Sequence, residues 1–192
     1  MKNKDYFGRR NISHLVAGAG EHSLFSLTFF AFFAFFLLEM RSDFGHLFRL
    51  NVNYGGSAGY GRKFIERLSG NWGIVDVQDS IVAAQTLSSP PYNLIDKKRL
   101  IIRGGSAGGF TVLAALSIAK DDVNVFAGAT SLYGVSDLRK LYEFTHKFES
   151  KYLAKLIGGT PEEVPDVYKA RSPIYHADKI VSALLVSNKY TF

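Results

Sequence analysis

The chain has 192 residues, 47% apolar and 21% charged, which fits one globular domain and excludes disordered, collagen-like and coiled-coil chains. It has no cysteine, so a disulfide framework, a thiolate metal site and a cysteine nucleophile are excluded; any nucleophile is oxygen- or nitrogen-based. The net charge of +6 comes from basic residues that are scattered, densest at Lys97-Lys98-Arg99 and Arg62-Lys63, with no nucleic-acid motif beside them, so the expectation is a solvated basic surface and no nucleic-acid partner.

Phenylalanine is unevenly placed: Phe25, Phe29, Phe30, Phe32, Phe33, Phe35 and Phe36 crowd into residues 24–38, an uncharged run that ends at Glu39 and Arg41. The run is shorter than the roughly 17 to 20 apolar residues a spanning helix needs. It has the length of a signal-peptide core, but Arg9-Arg10 lie well upstream and no small-residue cleavage site follows Leu38. Three readings stay open: a membrane anchor or uncleaved signal, a buried hydrophobic segment, or non-native sequence joined to a domain.

From Leu47 the pattern becomes regular. Residues 47–54 alternate apolar and polar as a strand does, and the glycine-rich stretch to Gly61 reads as a loop. Ile74, Val77, Ile81 and Ala84 recur at helical spacing, which predicts a helix with one buried face that stops before Pro90-Pro91. Residues 100–103 form a short apolar strand, 107–119 a buried helix of small residues, 125–129 a strand, 137–155 a helical region and 180–186 a last strand. Strands alternating with helices at this spacing predict an α/β fold, a parallel sheet with helices on both faces.

The strongest chemical signal is Gly104-Gly105-Ser106-Ala107-Gly108-Gly109, between a strand and a helix. It contains G-x-S-x-G, in which a sharp strand-to-helix turn lifts a serine hydroxyl above the sheet and leaves no room for side chains at Gly104 and Gly108. Ser106 is the candidate nucleophile. The helix N-terminus behind it carries free N–H groups and partial positive charge, which makes the N–H of Ala107 the candidate oxyanion donor. The other glycine-rich stretch, Gly56 to Gly61, outlines a phosphate loop, but Arg62 and Lys63 stand where Lys and Ser/Thr are needed.

Five further segments extend the elbow into a family pattern: Asn53-Tyr-Gly-Gly-Ser-Ala-Gly-Tyr-Gly61, Gly70-Asn-Trp-Gly-Ile-Val-Asp-Val-Gln-Asp79, Ser131-Leu-Tyr-Gly-Val-Ser-Asp-Leu138, Thr145-His-Lys-Phe-Glu-Ser150 and Ser172-Pro-Ile-Tyr-His-Ala-Asp-Lys179. Together, from about Val52 to Val186, the chain resembles the catalytic domain of prolyl oligopeptidase family serine peptidases, in particular the acylaminoacyl-peptidase and dipeptidyl-peptidase-like members. The resemblance implies an α/β-hydrolase fold, incomplete at both ends, that hydrolyses peptide bonds through an acyl-enzyme on Ser106. It implies a peptide substrate, no cofactor, and a substrate pocket lined by the segment from Tyr133 to about Tyr152. Residues 47–192 are read as a partial catalytic domain and residues 1–46 as a non-matching region.

The family's triad aspartate and histidine lie beyond the strand that holds Ala183 to Val186, and only Ser187-Asn-Lys-Tyr-Thr-Phe192 follow here. The expectation is therefore that this chain supplies no triad Asp or His and is a truncated remnant, catalytically incompetent alone. His146, His176, Asp137 and Asp178 are read as ordinary polar residues. Asp121-Asp122 and Glu162-Glu163 are read as exposed turns, and no histidine pair has metal-ligand spacing, so no metal is expected. The lack of cysteine favours a reducing, cytoplasmic compartment, with membrane association through residues 24–38 as the alternative.

Overall fold

The computed structural model describes residues 35–41, 47–119, 125–145 and 147–187. The last part of the phenylalanine run is a strand, in keeping with the preference of aromatic residues for pleated surfaces. Phe35–Arg41 (β1) pairs antiparallel with Leu47–Leu50 (β2) on one side and with Leu100–Gly105 (β3) on the other. Its register sets Phe35 opposite Gly105 and Phe36 opposite Gly104, alongside the serine turn. Residues 24–34 lie outside the described residues. Among the described residues, no helix is long and apolar enough to cross a membrane.

Beyond β2 the chain does not continue as the strand expected to residue 54. The Gly55 N–H donates to the Asp79 carboxylate at 2.7 Å, which draws the loop away from the sheet. Arg62–Glu66 (α1) is one short turn, and Val75–Ser88 (α2) buries Val77, Ile81 and Ala84, the face the spacing predicts. After β3, Ala107–Ser117 (α3) is buried along its whole length. Gly128–Leu132 (β4) then lies parallel to β3.

The strand expected at 125–129 starts later because Phe126 packs into the core and the Ala127 N–H donates to the Leu100 carbonyl before the ladder begins. The helical region expected at 137–155 is two helices, Leu138–Phe144 (α4) and Lys147–Ile157 (α5). The break falls at Thr145, whose backbone is extended and whose hydroxyl donates back to the Leu141 carbonyl, an alternative to continuing the helix. Pro165–Arg171 (α6), opened by a proline in its first turn, and a 3₁₀ segment at Pro173–Lys179 lead into Ala183–Ser187 (β5).

The sheet order is β2-β1-β3-β4-β5. The parallel arrangement read from the sequence holds for β3, β4 and β5, while β1 and β2 add an antiparallel flank. The fold class is α/β, with the serine-bearing turn at the carboxyl end of the central strand. Leu100 and Ile102 of β3, Phe110, Val112 and Leu116 of α3, and Trp72 are all buried in one core. The Trp72 and Phe110 rings stand 4.5 Å apart at 48°, so the loop that enters α2 packs aromatic bulk against α3.

Candidate active site

Ser106 has φ 53° and ψ −119°, a conformation that a non-glycine residue adopts only when its surroundings force it. Its backbone is held on both sides: its N–H donates to the Leu132 carbonyl at 2.9 Å, and its carbonyl accepts from the Phe110 N–H at 3.0 Å. The turn is therefore tied at once to β4 and to the first turn of α3. A side chain at Gly104 would put its Cβ 2.3 Å from the Gly108 carbonyl oxygen, so strand and helix meet here with no atom to spare. The contact explains the first outer glycine of G-x-S-x-G, Gly104. Ala107 opens α3, where an N–H has no intrahelical acceptor and helix polarity favours a negative ligand.

Tyr133 also comes to this turn. It lies directly after β4, has φ 41°, is 58% exposed, and its ring rests against Gly105: a Cβ there would be 2.9 Å from the phenol oxygen. Its N–H donates to the Ser187 carbonyl, which fixes its backbone to β5. Sequence reasoning placed only the broad segment starting at Tyr133 near substrate. The particular signal was the glycine at position 105, which leaves a flat surface for a ring.

Behind the turn lies a buried polar group that the sequence reading passed over. Asp76, in the first turn of α2, is 1% exposed. One carboxylate oxygen accepts from the Gly73 N–H at 2.7 Å and the other from the Thr111 hydroxyl at 2.6 Å. Burial pushes its carboxyl up to about 6, against the opposing pull of these hydrogen bonds. Arg171, at the end of α6, donates to the Gly70 and Trp72 carbonyls at 3.0 and 3.1 Å and so anchors the loop that enters α2. Burial lowers the pKa of this guanidinium, and the Asp76 carboxylate raises it. The signal in the sequence was Asp76 itself, set among apolar neighbours where a surface helix would carry its charge on the other face.

The remaining candidates have local partners. The Asp137 carboxylate caps α4 by accepting from the Arg139 and Lys140 N–H groups, and a ring nitrogen of His176 pairs with the Ala170 carbonyl at 3.1 Å. Glu163 accepts from the Thr160 N–H within an exposed turn. Asp178 is exposed. His146 and Asp121-Asp122 lie outside the described residues. Among the described residues no carboxylate or imidazole hydrogen-bonds the Ser106 hydroxyl, and no three potential metal ligands cluster.

Comparison with known proteins agrees with this geometry. The sequence pattern of the Prolyl oligopeptidase family matches residues 40–188. Dipeptidyl aminopeptidase BIII of Pseudoxanthomonas mexicana is 28% identical over 141 residues, 71% of this chain and 20% of that protein. A puromycin-hydrolyzing peptidase of Mycobacterium tuberculosis superposes with a TM-score of 0.63 at 50% identity, over 70% of this chain and 19% of that one. A puromycin hydrolase gives 0.65 at 44%, over 74% and 20%. The chain thus spans about a fifth of the length of these relatives. An α/β-hydrolase sheet carrying a strained serine turn, matched by this pattern over most of its length, makes the chain a member of the prolyl oligopeptidase family of serine peptidases.

Proposed function

We propose that the chain carries the nucleophile half of a serine peptidase site. Ser106 attacks the carbonyl of a peptide bond, the Ala107 N–H receives the charge that develops on the carbonyl oxygen, and an acyl-enzyme on Ser106 is then hydrolysed. The observation that carries this reading is the Ser106 backbone: a strained turn tied to β4 and α3, with Ser106 itself at the N-cap of α3. The relatives' names, an aminopeptidase and puromycin-hydrolyzing peptidases, support peptide and aminoacyl-amide substrates. The lack of cysteine supports action in a reducing compartment such as the cytoplasm.

A second reading, that this chain alone does not turn over, is favoured by a specific feature. A serine hydroxyl without a neighbouring base is an ordinary alcohol, and no described Asp or His reaches Ser106. Loss of the histidine base in a serine peptidase costs on the order of a millionfold in turnover. Both readings are tested by one comparison: this chain beside an extended chain that continues after Ser187 with the corresponding segment of the Pseudoxanthomonas enzyme. The extended chain is expected to react with a fluorophosphonate at Ser106 and to hydrolyse an aminoacyl amide, both abolished by Ser106→Ala, while this chain reacts at least about a thousandfold more slowly. Hydrolysis that survives Ser106→Ala in the extended chain removes the first reading; equal rates in the two chains remove the second.

A further inference from the structure

Among the described residues Asp76 is the sole fully buried carboxylate, and the chemistry at Ser106 does not use it. Its partner Thr111 stands one helical turn after Ala107 in α3, and the Thr111 hydroxyl lies between two acceptors: the Asp76 carboxylate at 2.6 Å and the Ala107 carbonyl at 3.2 Å. The hydroxyl has one proton to give. The same turn of α3 is held at a second point. Gly73, at φ 82°, seats its backbone against the Phe110 ring so closely that a Cβ would be 2.9 Å from it, and the Phe110 N–H in turn closes on the Ser106 carbonyl.

We propose that Asp76 is a positioning residue for the Ala107 N–H: through the Thr111 hydroxyl, its carboxylate fixes the first turn of α3 and so the direction of that donor. The inference rests on reading Ser106 and Ala107 as the acyl-transfer site. When Asp76 is ionised, its carboxylate accepts the hydrogen bond of the Thr111 hydroxyl across 2.6 Å. When Asp76 is protonated, its own O–H donates to the Thr111 oxygen and the Thr111 proton turns to the Ala107 carbonyl. One proton on Asp76 thereby changes the hydrogen bonding of the Ala107 carbonyl, one peptide along from the Ala107 N–H in the same turn. The titratable and charged groups that face Asp76 are Tyr54, from the loop after β2, and Arg171, from α6; α3 contributes only neutral residues. Burial sets the carboxyl to change state at about pH 6, so the relay operates close to neutrality.

The test is the amide resonance of Ala107 in this chain, followed by NMR from pH 4 to pH 8. Its shift is expected to titrate with a midpoint near the Asp76 value of about 6, to stay flat in Asp76→Asn and Thr111→Val, and to titrate again in Thr111→Ser, which restores the hydroxyl. A flat Ala107 amide in the native chain, or one that still titrates in Asp76→Asn, overturns the proposal. In the extended chain Thr111→Val is expected to lower kcat about tenfold and leave KM within about twofold, since a misdirected oxyanion donor weakens the transition state and not the substrate complex. An unchanged kcat in folded Thr111→Val also overturns it. Should hydrolysis prove independent of Ser106, the functional reading falls while the Ala107 titration still decides whether Asp76 controls this turn.

Discussion

Two elements next to β4, the helix α3 that precedes it in the chain and the strand β5 that pairs with it in the sheet, meet water in opposite ways. Every residue of α3 is buried. In β5 Leu185 is 63% and Val186 48% exposed, on alternate faces of a strand that pairs on one side only among the described residues. Strands of parallel sheets are ordinarily covered on both faces. The contrast shows where geometry is fixed within this chain: the turn that presents Ser106 is braced by core packing, whereas the border at β5 contributes little to its own burial. The nucleophile's conformation is thus a property of the packed half, and it is there that substitutions act most strongly.

The largest difference is expected from truncating the brace. Phe110 is fully buried, packs at a tilt against Trp72 and carries the N–H that holds the Ser106 carbonyl. Phe110→Ala should cost about 3–5 kcal/mol in urea unfolding. Leu185→Ala, which removes a mostly exposed side chain, should cost less than about 1 kcal/mol. Similar losses at the two positions would erase the contrast between α3 and β5.

Next in size is the buried charge. A carboxyl whose folded value is raised from 3.8 to about 6 favours its protonated form in the folded state. Its favourable contribution is complete below pH 3.8 and is lost as pH rises through about 6, a span worth about 3 kcal/mol. Asp76→Asn removes this dependence, keeps an acceptor for the Gly73 N–H and offers a donor to Thr111. At pH 8 it should therefore unfold at the same or higher urea concentration than the native chain, and the advantage should vanish near pH 4. A variant that is less stable than the native chain at pH 8 but not at pH 4 would show that the charge itself strengthens the packed half.

A smaller loss, about 1–3 kcal/mol, is expected for Gly104→Ala, because the added methyl meets a backbone carbonyl that can move only if α3 shifts off β3. Since the Ser106 conformation depends on that contact, the reactivity of Ser106 should fall by more than the stability loss accounts for. Fluorophosphonate labelling measured per folded molecule separates the two.

What could be read from the sequence follows the same division. G-x-S-x-G carries its own geometry because a strand, a strained serine and a helix start leave few ways to connect, and α2 and α3 announced themselves by spacing and by small apolar residues. Non-local pairing was harder to see. Phe35–Arg41 looked like the tail of a hydrophobic run because nothing local marks it as the partner of β3, sixty-odd residues later in the chain. The strand at 125–129 was placed early because Val125 and Phe126 are apolar for the core and not for the ladder. Asp76 went unassigned because its partner Thr111 is distant in sequence and common in type.

The smallest effect in stability, and the most direct probe of the border, is Leu185→Lys. A side chain that is already 63% exposed loses little on becoming charged, so unfolding should change by no more than about 0.5 kcal/mol. An apolar strand with an unpaired row of N–H and C=O groups is, however, a template for pairing with another chain, and a lysine on it opposes such pairing. The native chain is accordingly expected to self-associate as its concentration rises, and Leu185→Lys to sediment as a smaller species at the same concentration. If both sediment alike as monomers, β5 is not a pairing surface, and its contrast with α3 has no consequence for association. If both associate alike, another surface is responsible: Phe144, 84% exposed at the end of α4, is the next position to change.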